Sequence, residues 1–119
     1  MKPIDQEAVQ QWLDHFINKN VYVHAETTNG AYASSHGRDG INVGVYLRNV
    51  QVSFSQAKIT TSNEQSYRIG LKTELGWLYT EGLTDWTIHQ ETKLLLAGHD
   101  PEGRVIVALQ ISEQPFIYE

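Results

Sequence analysis

The sequence predicts a mainly β, single-domain protein: an antiparallel sandwich or partly open barrel of about eight or nine short strands with one N-terminal amphipathic helix. Apolar residues repeat with a helical period only before residue 19, and from Val21 onward they alternate with a period of two. Turn-forming sequences then recur every ten residues or so, which is typical of sandwiches and barrels. The 119 residues suffice for one hydrophobic core, so we expect one domain over residues 1–119.

The first predicted element is a helix over about residues 5–18. Its apolar residues form a single stripe with a 3.6-residue period: Ile4, Ala8, Val9, Trp12, Leu13, Phe16 and Ile17. Asp5 has a side chain suited to an N-cap, and Ile4 and Val9 have the spacing of a hydrophobic staple. Such a stripe must be buried against a larger surface.

A β region is predicted over about residues 20–112, followed by a tail at residues 113–119. The dipeptide Asn29-Gly30 between alternating segments predicts a two-residue hairpin turn. That turn would pair Glu26 with Ala33 and place His24 on the same face as Glu26. His36 would lie on the opposite face.

A second hairpin is predicted at Asp100-Pro101-Glu102-Gly103, whose residue types suit a type I turn closed by a glycine bulge. In the expected register, Ala97 pairs with Val107 and Leu95 with Leu109. Both faces of this hairpin are largely apolar, and water covers neither face well. One face should therefore meet the core of the sheet, and the other should meet the N-terminal helix or a second subunit. The second possibility predicts a homodimer.

The composition argues against several functional classes. The chain has no cysteine, which excludes disulfides, thiol catalysis and cysteine metal sites. No apolar run reaches the roughly 18 residues of a membrane span, and the N-terminus lacks the apolar stretch of a signal peptide, so we expect a cytoplasmic protein with no membrane partner. The formal net charge is −5, and residues 73–119 taken alone carry a charge of −6, which argues against nucleic-acid binding.

A metal site is one hypothesis, because the chain contains five histidines. His24 and Glu26 place an imidazole and a carboxylate on one strand face, a donor pair that suits zinc or manganese. A third ligand would have to come from a distant histidine such as His89 or His99. The alternative for each histidine is a hydrogen-bonded structural role.

A ligand pocket is a second hypothesis. The aromatic residues Trp77, Tyr79 and Trp86 are predicted close together in adjacent strands, where they could line a pocket. Arg48 and Arg68 could hold an anionic ligand there by bidentate hydrogen bonds. The alternative is that these aromatic residues belong to the core or to a subunit interface.

Catalytic motifs are missing from the sequence. Ser34-Ser35-His36 is not a nucleophile elbow, because that elbow requires GxSxG at a strand-to-helix turn. Gly37-Arg38-Asp39-Gly40 precedes a predicted strand and not a helix, so it offers no phosphate cradle. We therefore assign no catalytic residue and no cofactor.

Several segments in order resemble one family of small proteins. These segments are His24-Ala25-Glu26-Thr27-Thr28-Asn29-Gly30, Tyr46-Leu47-Arg48-Asn49, Gln56-Ala57-Lys58-Ile59, Tyr67-Arg68-Ile69-Gly70-Leu71-Lys72-Thr73-Glu74, Gly76-Trp77, Glu81-Gly82-Leu83-Thr84, Leu96-Ala97-Gly98-His99, Ala108-Leu109-Gln110-Ile111-Ser112-Glu113 and Pro115-Phe116. In order and spacing they resemble the YojF family of Bacillus and its relatives. The resemblance extends from the predicted helix to Phe116.

The resemblance implies little chemistry, since the family has no established activity, cofactor or assigned site. Its genes tend to lie beside a zinc-dependent deacetylase of bacillithiol synthesis, which implies by association an accessory role in low-molecular-weight thiol metabolism and the deacetylase as a possible partner. The leading hypothesis is thus a non-enzymatic accessory or interaction protein. A binding barrel for a small anionic ligand and a metal-dependent enzyme are the alternatives.

Overall fold

Two antiparallel sheets and one short helix make up the described part of the protein. The computed structural model describes residues 1–28, 44–63 and 65–117. Its elements are β1 (Lys2–Pro3), α1 (Gln6–His15), β2 (Val21–Thr28), β3 (Gly44–Val52), β4 (Gln56–Asn63), β5 (Ser66–Lys72), β6 (Trp77–Leu83), β7 (Asp85–His89), β8 (Lys93–His99) and β9 (Val105–Ser112). A six-stranded sheet has the order β1-β7-β8-β9-β2-β3, and a three-stranded sheet has the order β4-β5-β6. The predicted mainly β class with one N-terminal helix is confirmed.

The hydrophobic core lies between the two sheets and the helix. Its fully buried large side chains come from all three: Leu13 and Phe16 from the N-terminal segment, Leu94, Leu96, Leu109 and Ile111 from the six-stranded sheet, and Ile69, Leu71 and Leu83 from the three-stranded sheet. Phe54, in the segment between β3 and β4, is fully buried as well. Burial of these side chains is the main force that holds the sheets together.

The helix begins where the sequence predicts and ends earlier. The Asp5 carboxylate accepts a hydrogen bond from the Ala8 amide at 3.1 Å, which confirms the N-cap. The regular helix stops at His15, short of residue 18. Phe16 donates to the Leu13 carbonyl, and Asn18 adopts a left-handed conformation with a φ of 62°. Asparagine tolerates this conformation, which turns the chain out of the helix.

Glutamine side chains of the helix occupy the free edge of β4. The Gln10 amide donates to the Ala57 carbonyl at 2.8 Å and accepts from the Ile59 amide at 3.0 Å. The Gln6 amide donates to the Ile59 carbonyl at 3.1 Å. These bonds take the place of a neighbouring strand, because an edge strand otherwise leaves its backbone groups without partners. They also fix the helix beside the three-stranded sheet.

The substitution Gln10→Ala is expected to destabilise the protein by about 2–3 kcal/mol, because it leaves two partly buried backbone groups of β4 without partners. Gln11→Ala is the matched control, since Gln11 is exposed and is expected to change the free energy of unfolding by less than about 0.5 kcal/mol. Urea denaturation of the two variants measures both values. Equal midpoints for Gln10→Ala and Gln11→Ala would contradict the edge-capping role.

The predicted pairing of β2 with residues 31–36 is wrong. Glu26 lies opposite Tyr46 of β3 on one side and opposite Ala108 of β9 on the other. Both edges of β2 are therefore already hydrogen-bonded to other strands. The residues of the predicted turn, Asn29-Gly30, and His36 lie outside the described residues.

The second predicted hairpin is present, but its register differs by one residue. Gly103, with a φ of 82°, donates its amide to the Asp100 carbonyl at 2.9 Å, as the turn prediction requires. A bulge between Gly98 and His99 then shifts the pairing, so that Ala97 lies opposite Ala108 and not Val107. Bulges of this kind insert one residue in one strand, and alternation alone does not locate them.

The Asp100 carboxylate closes this turn. It accepts hydrogen bonds from the backbone amides of Arg104 and Glu102, and it also bonds to the Arg104 guanidinium. The backbone hydrogen bond from Arg104 is the largest cause that lowers the pKa of Asp100. The carboxylate therefore stays ionised to lower pH in the folded chain than in the unfolded chain.

The shifted register changes what the hairpin exposes. Leu94, Leu96, Leu109 and Ile111 share the core face. The opposite face carries Leu95, Ala97, Ala108 and Gln110, of which only Leu95 is a large apolar side chain, and both alanines are buried. The helix packs along β4 and joins the core between the sheets, so it does not cover this second face. The expectation of a second subunit on this face stays a prediction.

Candidate functional site

The outer face of the three-stranded sheet is a regular grid of side chains. The register places Gln56, Lys72 and Trp77 in one row and Lys58, Gly70 and Tyr79 in the next. Thr60 and Arg68 begin the third row, and Glu81 of β6 lies within 3.3 Å of Arg68. Residues of the opposite parity, such as Ile59, Ile69 and Leu71, are buried in the core. The grid therefore faces away from the core, and glycine occupies its centre.

The central glycine leaves space that aromatic side chains overhang. A Cβ atom at Gly70 would lie 2.8 Å from Cε1 of Tyr79 and 3.4 Å from Cε3 of Trp77. A cavity of about 210 Å³ opens here, lined by Lys58, Thr60, Arg68, Gly70, Trp77 and Tyr79. An aromatic side chain opposite a glycine in a strand often covers the backbone that the glycine leaves bare, which explains the position of Tyr79. It does not explain why the indole of Trp77 beside it is exposed.

Cations and aromatic rings alternate along this face. The rings of Trp77 and Tyr79 are stacked, with centroids 5.6 Å apart and planes 10° from parallel. The Arg68 guanidinium lies 5.5 Å from the Tyr79 ring, and the Lys72 ammonium lies 5.8 Å from the Trp77 ring. Trp77 and Tyr79 nevertheless remain 45% and 56% exposed, so both rings are accessible to a ligand. Such exposed stacks are a common way of binding a flat ring.

The face is also locally positive in a protein of net charge −5. Arg68 is paired with Glu81 through Nε and Oε1 at 3.3 Å. Lys58 and Lys72, by contrast, form no ion pair with any carboxylate of the described residues. Two uncompensated ammonium groups beside exposed rings would attract an anion that carries a flat apolar part.

Three of the five predicted ligand-binding residues lie together here: Arg68, Trp77 and Tyr79. The other two do not join them. Arg48 lies on β3 of the six-stranded sheet. Trp86 lies on β7 of that same sheet and is only 6% exposed, so the expectation that it neighbours Trp77 in adjacent strands is wrong. Alternation locates a side chain on a face, but it does not tell which of two sheets a strand joins.

Lys58, Thr60, Gly70 and Lys72 were missed by sequence reasoning. β4 has a weak alternating signal, because only Ala57 and Ile59 are apolar in its first half. In the observed pairing of β4 with β5, whose alternation is clear, Lys58 lies opposite Gly70. The signal was therefore present but depended on a register that the sequence alone does not supply.

Of the residues in the metal hypothesis, only His24 and Glu26 lie close to each other. Nε2 of His24 lies 3.6 Å from Oε2 of Glu26, on one face of β2 as predicted. His89 and His99 lie on β7 and β8, which β9 separates from β2, and Nδ1 of His99 lies 3.0 Å from Oδ1 of Asp85. Among the described residues, no three His, Cys, Asp or Glu side chains are grouped to hold a metal ion. The His24 and Glu26 site stays a prediction.

The geometry defines a class of small β-sandwich proteins with an aromatic and cationic face on the smaller sheet. The family to which the chain belongs is known: residues 3–116 match the family described as "Protein of unknown function (DUF1806)". In the described residues, no helix is long and apolar enough to cross a membrane.

Relatives support the same assignment. The chain is 47% identical over 116 residues to "Uncharacterized protein YojF" of Bacillus subtilis strain 168, covering 98% of both chains. It also matches the crystal structure of the Bacillus subtilis YojF protein with a TM-score of 0.79 and 44% identity, covering 98% of this chain and 97% of that one. The resemblance to the YojF family that the sequence indicated is confirmed.

Proposed function

We propose that the protein binds a small anionic ligand with a flat ring on the outer face of the three-stranded sheet. The observation that carries this proposal is the juxtaposition of two exposed stacked rings, Trp77 and Tyr79, with the unpaired cation Lys58 across a central glycine. Ring and anion would be recognised by different residues, on β6 and β4, with β5 between them. Binding, and not catalysis, is what this set of side chains supports.

The ring and the anionic group of the ligand contribute separately to its binding. Stacking on an exposed aromatic side chain contributes about 1–3 kcal/mol for a nucleobase-sized ring. A hydrogen bond from an ammonium group to a phosphate or carboxylate contributes about 1.5–3 kcal/mol. The two terms sum to about 2.5–6 kcal/mol before the costs of association are subtracted, so we expect an affinity in the millimolar range.

Isothermal titration calorimetry with AMP, adenosine and inorganic phosphate tests both parts. AMP, which carries ring and anion, is expected to bind at least about tenfold more tightly than adenosine or phosphate alone. Lys58→Gln is expected to weaken AMP about tenfold and to leave adenosine unchanged. Lys93→Gln on the six-stranded sheet is the matched control and is expected to leave both unchanged.

Two outcomes would contradict the proposal. Equal affinities for AMP and inorganic phosphate would show that the rings take no part. Far tighter binding per base of a single-stranded ten-residue oligoadenylate than of AMP would show a nucleic-acid face and not a small-molecule face.

Self-association is a second candidate, because the edge strand β3 exposes apolar side chains. Val45 is 57% exposed, Tyr46 is 64% exposed and Val50 is 38% exposed. An edge strand with such side chains can pair with its copy. Sedimentation equilibrium is expected to show a dimer that Tyr46→Lys dissociates, and a monomer at about 100 µM, roughly a hundred times a micromolar dimer constant, would contradict it. The deacetylase partner stays a separate prediction, which co-purification tests.

A further inference from the structure

A second concavity adjoins the ring-binding cavity, and one side chain belongs to both. It is lined by Gln6, Glu7, Gln10 and Gln11 of the helix and by Lys58 and Ile59 of β4, and its volume is about 480 Å³. Lys58 also lines the cavity beside Trp77 and Tyr79. The two concavities thus lie on opposite sides of the Lys58 side chain, in the row that runs from Tyr79 through Gly70 to the helix.

The side chains of the second concavity are suited to bind a neutral group that carries hydroxyls. Gln6 and Gln10 are held in place by their bonds to the backbone of β4. Glu7 and Gln11 are exposed, and their side chains form no hydrogen bond within the described part of the chain. A carboxylate beside an amide accepts hydrogen bonds from hydroxyl groups, whereas the carboxylate repels a second anion.

We infer that the ligand is elongated, with a flat ring at Trp77 and Tyr79, its anionic group at Lys58, and a neutral hydroxyl-bearing end at Glu7 and Gln11. This inference rests on the proposed ring-binding function. Two strand spacings separate β6 from β4, so the ring and the anion should be roughly 10 Å or less apart. A nucleoside diphosphate extended by a sugar has this order of groups, whereas a free nucleotide ends in its anion.

ADP and ADP-ribose form the matched pair of probes, because they share the adenine ring and diphosphate and differ in the terminal ribose. We expect ADP-ribose to bind about five- to tenfold more tightly than ADP, the gain of one or two hydrogen bonds. The double variant Glu7→Gln, Gln11→Ala is expected to bind ADP-ribose no more tightly than ADP, because any gain from removing the Glu7 charge applies to both ligands alike. Gln114→Ala, an exposed glutamine in the C-terminal segment, is the control.

The outcomes separate this inference from the function on which it rests. Equal affinities for ADP and ADP-ribose overturn the elongated ligand but leave ring binding intact. Failure of AMP, ADP and ADP-ribose alike overturns both. Tighter binding of ADP-ribose that survives the double variant also overturns the inference, because the ribose would then be held elsewhere.

Discussion

Replacing Gly98 with alanine is expected to destabilise the protein by about 3 kcal/mol or more, and to prevent folding if the wild-type stability is modest. A Cβ atom at this position would lie 2.0 Å from the carbonyl oxygen of Gly82 and 2.4 Å from Cγ1 of Val107. The first contact is with backbone, which cannot rotate away. The variant can be accommodated only if one sheet moves relative to the other.

The reason lies in how the two sheets meet. Gly82 of β6 and Gly98 of β8 bring a strand of each sheet into backbone contact, and Gly82 holds a φ of 82° that L side chains rarely adopt. Leu83 directly after Gly82 is fully buried, so the strand cannot retreat without exposing core surface. The close approach therefore leaves no room for a larger side chain between β6 and β8 at this point.

Gly76→Ala is the matched control for this prediction. A Cβ atom there would have no neighbour within 4 Å, and Gly76 does not have a positive φ. Its alanine variant should differ from wild type by less than about 1 kcal/mol. Thermal and urea denaturation of both variants provide the comparison, and a Gly98→Ala midpoint equal to that of Gly76→Ala would show that the sheets are not held at this contact.

Local features were predicted well from the sequence, and contacts between distant segments were not. The Asp5 cap and the turn at Asp100 depend on neighbouring residues, so their residue types were sufficient to identify them. The register of β8 was wrong by one residue because a bulge leaves no mark in the alternation. The partner of β2 was wrong because Asn29-Gly30 is a local signal, whereas strand pairing is decided over the whole chain.

The candidate site shows the same difference between what a residue type indicates and what depends on contacts between distant segments. Arg68, Trp77 and Tyr79 were chosen for their chemistry, and the structure places all three on the outer face of the three-stranded sheet. Trp86 has the same chemistry, but it lies in the core of the other sheet. Gly70 could not be recognised as the centre of the site, because a glycine has no side chain and its role depends entirely on what lies across from it.

The substitution Gly70→Val is expected to weaken AMP binding by more than about tenfold while changing the free energy of unfolding by less than about 1 kcal/mol. Its Cβ atom would also meet a neighbour, at 2.8 Å, but that neighbour is the outer edge of the Tyr79 ring. An exposed ring can swing into solvent, so the fold absorbs the change. Valine also favours a strand over glycine, which offsets the lost ring contact.

The AMP affinity is not preserved in the same way, because the added methyl groups occupy the cavity and separate Tyr79 from Lys58. Gln56→Val is the matched control, since Gln56 lies on the same face but does not line the cavity. We expect its AMP affinity to equal that of wild type. Calorimetric titration measures the AMP affinity of both variants, and urea denaturation measures their stability. AMP affinity retained in Gly70→Val would place the ligand elsewhere. A stability loss as large as that of Gly98→Ala would show that backbone and not a ring limits the space above Gly70.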